Sequence, residues 1–401
     1  MLPKPSSPAD TALQNALRAH DAGRLTEAEV GYRRVLRKRP NEPRALYGLG
    51  LLAFHSGAIE AGIQYVTRCV EHAPGDSRAW NTLGSMYQAA NNSTLAATAY
   101  QRATEVAPQS SDGWYNLGIC LKREGDFDGA VERLRRATTC VPPSPQAFEA
   151  LGSLLYQLGQ THEAATTFIE WAQREPANPR AQHMAAAASG RSAPRRASDD
   201  YIQTHFDAAA DSFDHQLERL GYQAPQLVVA ALVRIRGSLL DTVLDAGCGT
   251  GLCGPLIRPR CQTLAGVDLS AKMLARAQER GCYDELVTAE MAAFMRSRPR
   301  SFDAIISADT FVYFGDVGEP LSAAHATLRG SGLLSFTAEA LPKEETADFR
   351  LNISGRYAHS ETYLRRALTA SGFLVESISC EKLREERAES VPGHVVVARC
   401  R

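Results

Sequence analysis

Apolar residues recur at a regular interval along the first half of the chain, and polar residues fill most positions between them. Prolines stand every 34 residues, at positions 40, 74, 108, 142 and 176. A column of small residues keeps the same interval: Ala16, Gly50, Gly84, Gly118 and Gly152. So does a column of large apolar residues: Tyr32, Val66, Tyr100, Leu134 and Phe168. Repetition at this interval predicts stacked pairs of helices, because small residues let two helices approach closely while large ones fill the remaining space.

Glycine or asparagine stands in the middle of each repeat, where one helix must turn into the next: Gly23, Gly57, Asn91, Gly125 and Gly159. These residues tolerate a left-handed helix end, and the prolines cannot continue the second helix. The complete pattern resembles the tetratricopeptide repeat (TPR), in five copies over about residues 9–178. The resemblance implies an all-α solenoid over residues 9–188, including a closing helix, whose concave face binds a protein or peptide partner. The alternative role for the repeats is a scaffold that dimerises the chain or shields its second half. Residues 1–8 are expected to form a flexible N-terminus.

The repeat pattern ends at residues 189–200, SGRSAPRRASDD, whose small, polar and charged composition predicts a linker. Beyond it, short β-rich runs alternate with amphipathic helical segments. Five predicted strands follow one another in this way: Thr242–Ala246, Thr263–Val267, Leu286–Thr288, Ala304–Ala308 and Leu333–Ala338. This alternation predicts a doubly wound, mostly parallel sheet. Two further strands, Phe373–Ser379 and Val395–Cys400, are expected to end it as an antiparallel pair.

A glycine-rich turn follows the first of these strands, in the run VLDAGCGTG at 243–251. Glycine permits close approach of the backbone to a ligand, and ligands of such sheets bind where the strands end. Asp245 ends the first strand and is placed to accept a hydrogen bond from an amino group, whereas Asp268 ends the second and is placed to accept from both hydroxyls of a ribose. Gly249, Gly251 and Gly254 also fit the GxGxxG pattern of NAD-binding proteins, so NAD is one of two candidate nucleoside cofactors for this site.

The run DAGCGTG, followed by GVDLSAKML, resembles the class I S-adenosylmethionine (SAM)-dependent methyltransferases over most of residues 201–401. More narrowly, the segment FDAAADSFDHQLERLGYQAP is similar to one in bacterial methyltransferases that carry TPRs. The resemblance implies a Rossmann-like α/β domain with a seven-stranded, mostly parallel sheet, SAM as the cofactor and a helical cap over 201–236. It also implies a set of cofactor-binding residues: Asp245, Gly247, Gly249, Gly251, Asp268, Leu269, Met273, Glu290, Met291 and Asp309.

Three residues are candidates for a general base, which is needed only if the acceptor must lose a proton: His359, Asp309 and Tyr313. His359 has a suitable intrinsic pKa, but it also precedes a helix capped by Ser360, where it need have no chemical role. The cap aromatics Phe206, Phe213 and Tyr222 either wall the pocket, where their faces suit a sulfonium, or pack the cap against the sheet.

Net charge, apolar runs and cysteine content bear on the partners of the protein and on its cellular compartment. A formal net charge of −1 and the lack of a basic stripe disfavour nucleic acid as a partner, and no apolar run is long enough to span a membrane. Nine cysteines without a CxxC pair or an export signal indicate reduced thiols in the cytoplasm and no metal site. The sequence predicts a cytoplasmic SAM-dependent methyltransferase acting on an unidentified O or N acceptor, with the TPRs recruiting a partner or substrate protein. The alternative is a non-catalytic TPR adaptor whose second domain senses SAM.

Overall fold

The computed structural model describes residues 8–190, 193–237, 239–386 and 389–401. Contacts along the chain divide it into two compact units, one ending at Leu155 and the other beginning at Tyr156. The predicted flexible segment 1–8 lies outside the described residues except for Pro8. No helix in the described ranges combines the length and the apolar character needed to cross a membrane.

The first unit is built of helices that pack in consecutive pairs. Their bounds are α1 Pro8–Asp21, α2 Leu25–Lys38, α3 Pro43–His55, α4 Ile59–His72, α5 Ser77–Ala89, α6 Ser93–Val106, α7 Ser111–Glu124, α8 Phe127–Thr139 and α9 Pro145–Gln157. Each predicted proline in this unit follows the second helix of a pair within three residues. The turn residues Gly23, Gly57, Asn91 and Gly125 all have positive φ, between 56° and 85°. The expected all-α repeat architecture is confirmed.

Residues of the small column pack directly against residues of the large column in the same repeat, as the spacing predicts. A Cβ added to Gly84 would lie 2.5 Å from the ring of Tyr100, and one added to Gly118 would lie 2.8 Å from Leu134 Cγ. Tyr100 and Leu134 are correspondingly buried. The glycines are therefore required by the close approach of the two helices rather than by a turn.

The second unit begins with two helices and then contains the sheet. Its helices are α10 Thr161–Arg174, α11 Pro179–Ser189, α12 Asp199–Ala209, α13 Phe213–Arg219, α14 Ala224–Arg236, α15 Gly254–Ile257, α16 Ala271–Glu279, α17 Met291–Ser297, α18 Gly318–Thr327 and α19 Glu361–Ala370. Its strands are β1 Leu240–Ala246, β2 Cys261–Asp268, β3 Glu285–Thr288, β4 Phe302–Ser307, β5 Leu328–Ala340, β6 Phe349–Leu351, β7 Tyr357–His359, β8 Phe373–Glu386 and β9 Glu389–Cys400.

The sheet has the order β3-β2-β1-β4-β5-β7-β6, with β9 pairing antiparallel to both β5 and β8. The strands from β1 to β5 pair in parallel, as expected. The described residues contain nine strands rather than the predicted seven, because β6 and β7 form a short antiparallel pair between β5 and α19. The antiparallel finish is also longer than predicted: the polar run after Ser379 continues β8 to Glu386 instead of forming an irregular loop.

Both faces of the sheet are buried, which explains why its central strands are almost continuously apolar. Successive side chains point to opposite faces of a strand. Val243 and Ile306 accordingly belong to one apolar cluster, with α14, whereas Leu244 and Ile305 belong to another, with α17, α18 and α19. The two apolar clusters, one on each face of the sheet, hold the ends of β1, β2 and β4 in place.

The segment before α12 is more ordered than the predicted linker at 189–200, of which residues 191 and 192 lie outside the described part. The Ala197 N–H donates to the Tyr313 carbonyl at 2.8 Å, and Arg196 forms a β-bridge with Phe314. The boundary between the compact units falls earlier, at Leu155/Tyr156, because α10 and α11 pack within the second unit. His183 of α11, for example, lies 2.9 Å from the Gly355 carbonyl.

Candidate functional site

A cavity opens at the carboxyl ends of β1, β2 and β4, beneath α12 and α13. In the sheet, β2 and β3 lie on one side of β1, and β4 and β5 lie on the other side. Where the order of successive strands reverses direction in this way, a crevice opens at the carboxyl ends of a parallel sheet. The wall includes nine of the residues that the sequence singles out: Asp245, Gly247, Gly249, Asp268, Leu269, Glu290, Met291, Asp309 and Tyr313. The cap aromatics Phe206, Phe213 and Tyr222 also line it.

The glycine-rich turn after β1 forms the floor of the cavity. Gly247 and Gly249 have φ values of 72° and 54°. The N–H groups of Gly247 and Cys248 both donate to the Val267 carbonyl, at 2.8 and 3.0 Å, which ties the turn to β2. A Cβ on Gly247 would lie 2.2 Å from Thr310 Oγ1, whereas a Cβ on Gly249 would meet nothing within 4 Å. Gly247 is therefore required by packing inside the protein, and Gly249 leaves an open face towards the cavity.

Asp268 at the end of β2 is held by backbone donors. Its Oδ2 accepts from the Gly249 N–H and its Oδ1 from the Ser270 N–H, both at 2.9 Å. Burial raises the pKa of Asp268, and these N–H groups oppose the rise. The carboxylate is thus fixed in orientation at the cavity wall, with lone pairs left for two further donors such as ribose hydroxyls.

Asp245 at the end of β1 lacks a partner on one oxygen. Its Oδ2 accepts from the Tyr283 hydroxyl at 2.7 Å, whereas the buried Oδ1 has no hydrogen-bond partner among the described residues. Burial raises the pKa of Asp245 to about 7. Since a buried carboxylate oxygen is costly to leave unpaired, the site suits a ligand that brings a positively charged donor to this position.

Glu290 stands at the other end of the cavity, beyond β3. Its Oε2 accepts from the Ala293 N–H at 2.7 Å, capping α17, and its Oε1 lies 3.3 Å from Arg196 Nη1. Leu269 and Met291 supply apolar surface beside it. A flat, polar-edged group such as adenine fits between such side chains, although a donor from it would share Oε1 with Arg196.

Asp309 follows β4, at the opposite side of β1 from Asp268, and has a positive φ of 52°. Its Oδ1 accepts from the Thr337 hydroxyl at 3.0 Å and its Oδ2 from Arg384 Nη1 at 2.7 Å. Burial raises the pKa of Asp309, and the charge of Arg384 opposes the rise. Its neighbour Thr310 has its hydroxyl 3.3 Å from the Gly247 carbonyl, so Asp309 lies close to the glycine-rich turn.

The cap is joined to the rim of the cavity by three carboxylates, one in α12, one in the turn that follows it and one in α13. Asp207 accepts from the Ser270 hydroxyl at 2.5 Å, Asp211 from Arg276 at 2.6 Å and Asp214 from the Thr250 hydroxyl at 2.5 Å. All three hydrogen bonds join the cap to residues between Thr250 and Arg276. The cap therefore closes over the same loops that carry Asp268 and Gly249.

Three residues of the predicted site do not line the cavity. A Cβ on Gly251 would lie 2.9 Å from the ring of Tyr283, so this glycine serves packing beneath the turn. Met273 is fully buried in α16. Neither position gives a side chain or backbone atom to the pocket.

His359, the predicted base, is also away from the cavity. It ends β7, a strand that the sequence does not reveal, and its Nε2 donates to the Phe314 carbonyl at 2.8 Å. Burial lowers the pKa of His359 to about 4. The structure thus gives this histidine a place in the core instead of in a substrate loop.

The cavity contains polar residues that sequence patterns do not indicate: His205, Arg356 and Arg384. Arg384 lies in the polar run that the sequence suggests is irregular. There β8 contains a register shift between Lys382 and Arg384, and both Leu383 and Arg384 are buried as a result. The apolar Leu383 inside that run is the one sequence signal for a buried strand.

Comparison with known proteins identifies two kinds of domain in this chain. The sequence model described as "Methyltransferase domain" matches residues 243–332, and that described as "Tetratricopeptide repeat" matches 13–77 and 81–147. The chain thus carries a methyltransferase domain and TPRs, which confirms the recognition made from the sequence.

Curated relatives include two O-methyltransferases of the same name. The chain is 32% identical to malonyl-(acyl-carrier protein) O-methyltransferase of Pseudescherichia vulneris, over 40% of this chain and 64% of the relative. It is 28% identical to the enzyme of the same name from Salmonella typhimurium, over 34% and 52%. The chain therefore spans less than two thirds of these relatives. Among solved structures, magnesium protoporphyrin IX methyltransferase from Synechocystis with bound SAM matches at 21% identity and a TM-score of 0.34, over 45% of this chain and 79% of that one.

Proposed function

We propose that this chain, with its methyltransferase domain and its TPRs, is a SAM-dependent methyltransferase that transfers a methyl group to an oxygen or nitrogen acceptor. We further propose that the repeats recruit a partner or substrate protein. The observation that carries the enzymatic proposal is the pair of carboxylates at the carboxyl ends of β1 and β2. Asp268 is oriented by two backbone N–H groups, and Asp245 has a buried oxygen without a partner among the described residues.

The residues of the cavity fit SAM from end to end. Asp245 Oδ1 would accept from the methionyl ammonium, whose charge compensates the buried carboxylate. Asp268 would accept from the ribose hydroxyls, and Gly249 leaves room for the ligand against the turn. Leu269 and Met291 would flank the adenine, and Glu290 would accept from its amino group. The cofactor of the domain is accordingly SAM.

The chain contributes mainly alignment and the exclusion of water. When bound, SAM supplies an electrophilic methyl group on a sulfonium sulfur. The cap carboxylates hold α12 and α13 over the cavity, and the aromatic rings of Phe206, Phe213 and Tyr313 meet edge to face beneath them, with centroids 5.5 to 5.7 Å apart. Holding two reactants in line in a dry site lowers a barrier by on the order of 7–11 kcal/mol. Asp309 and Tyr313 lie at the end of the cavity where an acceptor would approach.

Two further observations support the wider proposal. All nine cysteines are unpaired, which suits a reducing compartment, and we place the protein in the cytoplasm. The curated relatives include both O-methyltransferases and guanine-N7-methyltransferases, so an oxygen or a nitrogen acceptor agrees with their names. Stacked TPRs present an extended surface of the kind that binds peptides, and we assign partner recruitment to them.

Calorimetry of the full chain with SAM, followed by measurement of S-adenosylhomocysteine in the presence of cell extract, tests the proposal. We expect micromolar binding and extract-dependent product. Binding without product would support the alternative, a TPR adaptor that senses SAM. No binding at all would overturn the cofactor assignment.

A further inference from the structure

The end of the cavity beside Asp309 contains hydroxyl groups that the protein itself does not use. Tyr222 and Tyr313 both line this end, and neither hydroxyl has a hydrogen-bond partner in the described ranges. Burial raises the pKa of both phenols, so each hydroxyl keeps its proton and acts as a donor. Both tyrosines are half-buried and line the cavity, so their unpartnered hydroxyls are available to donate to acceptors that a ligand supplies.

Backbone pairing brings these groups together with two arginines. The Gln223 N–H donates to the Leu383 carbonyl at 2.8 Å, and the Glu385 N–H to the Leu220 carbonyl at 2.7 Å. The loop that carries Tyr222 is thereby bound to β8 on both sides of Arg384. Tyr222 is close enough to Asp309, Arg384 and Tyr313 for each to act electrostatically on its hydroxyl.

Arg356 adds a third donor to the wall. Its Nε donates to Glu339 at 2.7 Å and its Nη2 to Glu386, whereas Nη1 has no partner within the part of the chain that the structure describes. Arg356 lines the cavity with 23% of its side chain exposed. A guanidinium with one nitrogen unused at a pocket wall is suited to bind an anionic oxygen.

His205 also lines the cavity, but it is not a base. Its Nδ1 lies 3.4 Å from Arg180 Nη2, and because a guanidinium can only donate, Nδ1 must accept. The ring proton is then on Nε2, which is a donor. Burial lowers the pKa of His205 to about 4, with the nearby arginines adding to the effect, so the ring is neutral at physiological pH.

The carboxylates that the structure describes at this end are already paired with cations. Asp309 Oδ2 accepts from Arg384 and its Oδ1 from Thr337, and Glu386 is held by both Arg384 and Arg356. An alcohol or an ammonium must lose a proton to be methylated, whereas a carboxylate is already nucleophilic. The unused donors, and the pairing of both nearby carboxylates with arginines, point to the same kind of acceptor.

The charges around the cavity end permit an anion. Among the residues that line this end, Arg356 and Arg384 balance Asp309 and Glu386 in number. The sulfonium of the cofactor adds a positive charge next to them. Part of the wall is apolar and can surround the body of a ligand whose polar end meets the donors: Phe206, Leu217, Leu220, Pro225 and Val312.

We propose that the methyl acceptor is a carboxylate on an apolar body, bound by the hydroxyls of Tyr222 and Tyr313 and by Arg356 Nη1, and that the product is a methyl ester. The inference rests on the proposed methyltransferase function and names its substrate class. A carboxylate oxygen lone pair forms the new O–CH3 bond, and the S–CH3 bond breaks with its electron pair remaining on sulfur. No proton leaves, so the site requires no base.

The first test is binding of matched probes to the full chain without cofactor: octanoate, octanol and octylamine, by calorimetry. We expect octanoate to bind at least about tenfold more tightly than the other two, which is about 1.4 kcal/mol. Tyr222→Phe and Tyr313→Phe should each weaken octanoate binding by about tenfold without changing octanol binding, because a hydrogen bond to a charged group is lost. Since neither hydroxyl has a partner among the described residues, both variants should melt like the wild type, as should a Tyr65→Phe control.

The second test uses methyl-labelled SAM and cell extract. Label in methyl esters is released as methanol by mild alkali, whereas label on nitrogen or on ether oxygen is stable. Alkali-labile label, lost in the Tyr222→Phe/Tyr313→Phe double variant through a higher KM, supports the proposal. Alkali-stable label, or a preference for octanol or octylamine, overturns the acceptor class and leaves the methyltransferase proposal standing. Absence of SAM binding overturns both.

Discussion

Two glycines of the same turn, Gly247 and Gly249, should respond in opposite ways to substitution by alanine. Both have positive φ, so an alanine at either position costs about 1–2 kcal/mol of backbone strain. Only at Gly247 does the new Cβ meet protein, 2.2 Å from Thr310 Oγ1 and 2.5 Å from its Cγ2. Overpacking of this kind costs about 1–3 kcal/mol more. At Gly249 the Cβ enters open space beside the cavity, where it would meet only a ligand.

Scanning calorimetry of the full chain measures the stability difference. A change of 1 kcal/mol shifts the Tm of a unit this size by about 2–4 °C, so Gly247→Ala should melt about 2–12 °C below Gly249→Ala. Gly249→Ala should instead lose at least about tenfold in SAM affinity, measured by titration calorimetry. Gly57→Ala is the matched control, because Gly57 has φ of 83° and nothing within 4 Å of its Cβ, but lies in the repeats.

Removal of the Thr310 side chain provides an internal check. In Gly247→Ala/Thr310→Ala the two closest atoms are absent, so the double variant should recover part of the loss instead of adding to it. Equal melting temperatures for the two single variants, or wild-type SAM affinity in Gly249→Ala, would refute the distinction between a packing glycine and a ligand-facing one.

Three further predictions concern charged groups. Asp268→Ala should weaken SAM binding by more than about a hundredfold in calorimetry, since two charge-assisted hydrogen bonds to the ribose are worth about 3 kcal/mol or more; an unchanged Kd would contradict the ribose assignment. Because the pKa of Asp245 is raised to about 7, its carboxylate is largely protonated at pH 6 and ionises as pH rises, so SAM affinity should increase about eightfold from pH 6 to 7.5. Asp245→Asn should bind more weakly and without this dependence, and a flat wild-type profile would count against the ammonium contact. Arg384→Met should lower the free energy of unfolding by about 3–5 kcal/mol, because Asp309 and Glu339 would remain buried without their shared cation, and denaturant unfolding of the full chain measures it.

Local patterns in the sequence were sufficient for the repeats and for the centre of the sheet. Each TPR contacts mainly its neighbours, so a 34-residue period contains most of the information about its packing. The five central strands and the glycine-rich turn are continuous segments with their own apolar and glycine signatures. Asp245 and Asp268 follow directly from the ends of those strands, and both line the cavity.

Tertiary structure alone decided the acceptor end of the cavity. Tyr222 lies more than a hundred residues before Arg356, and Arg384 lies in a part of β8 that the sequence does not predict as a strand. Backbone hydrogen bonds between β8 and the loop that carries Tyr222 bring Tyr222 and Arg384 together, and all three residues line the cavity. His359 shows the converse case, since a histidine in a presumed loop is buried by a short strand pair that has almost no sequence signature. Local residue patterns predict elements and their ends, because propensity and periodicity act within a segment. Which distant side chains share a pocket depends on long-range pairing, and a single sequence does not encode that pairing in any local spacing.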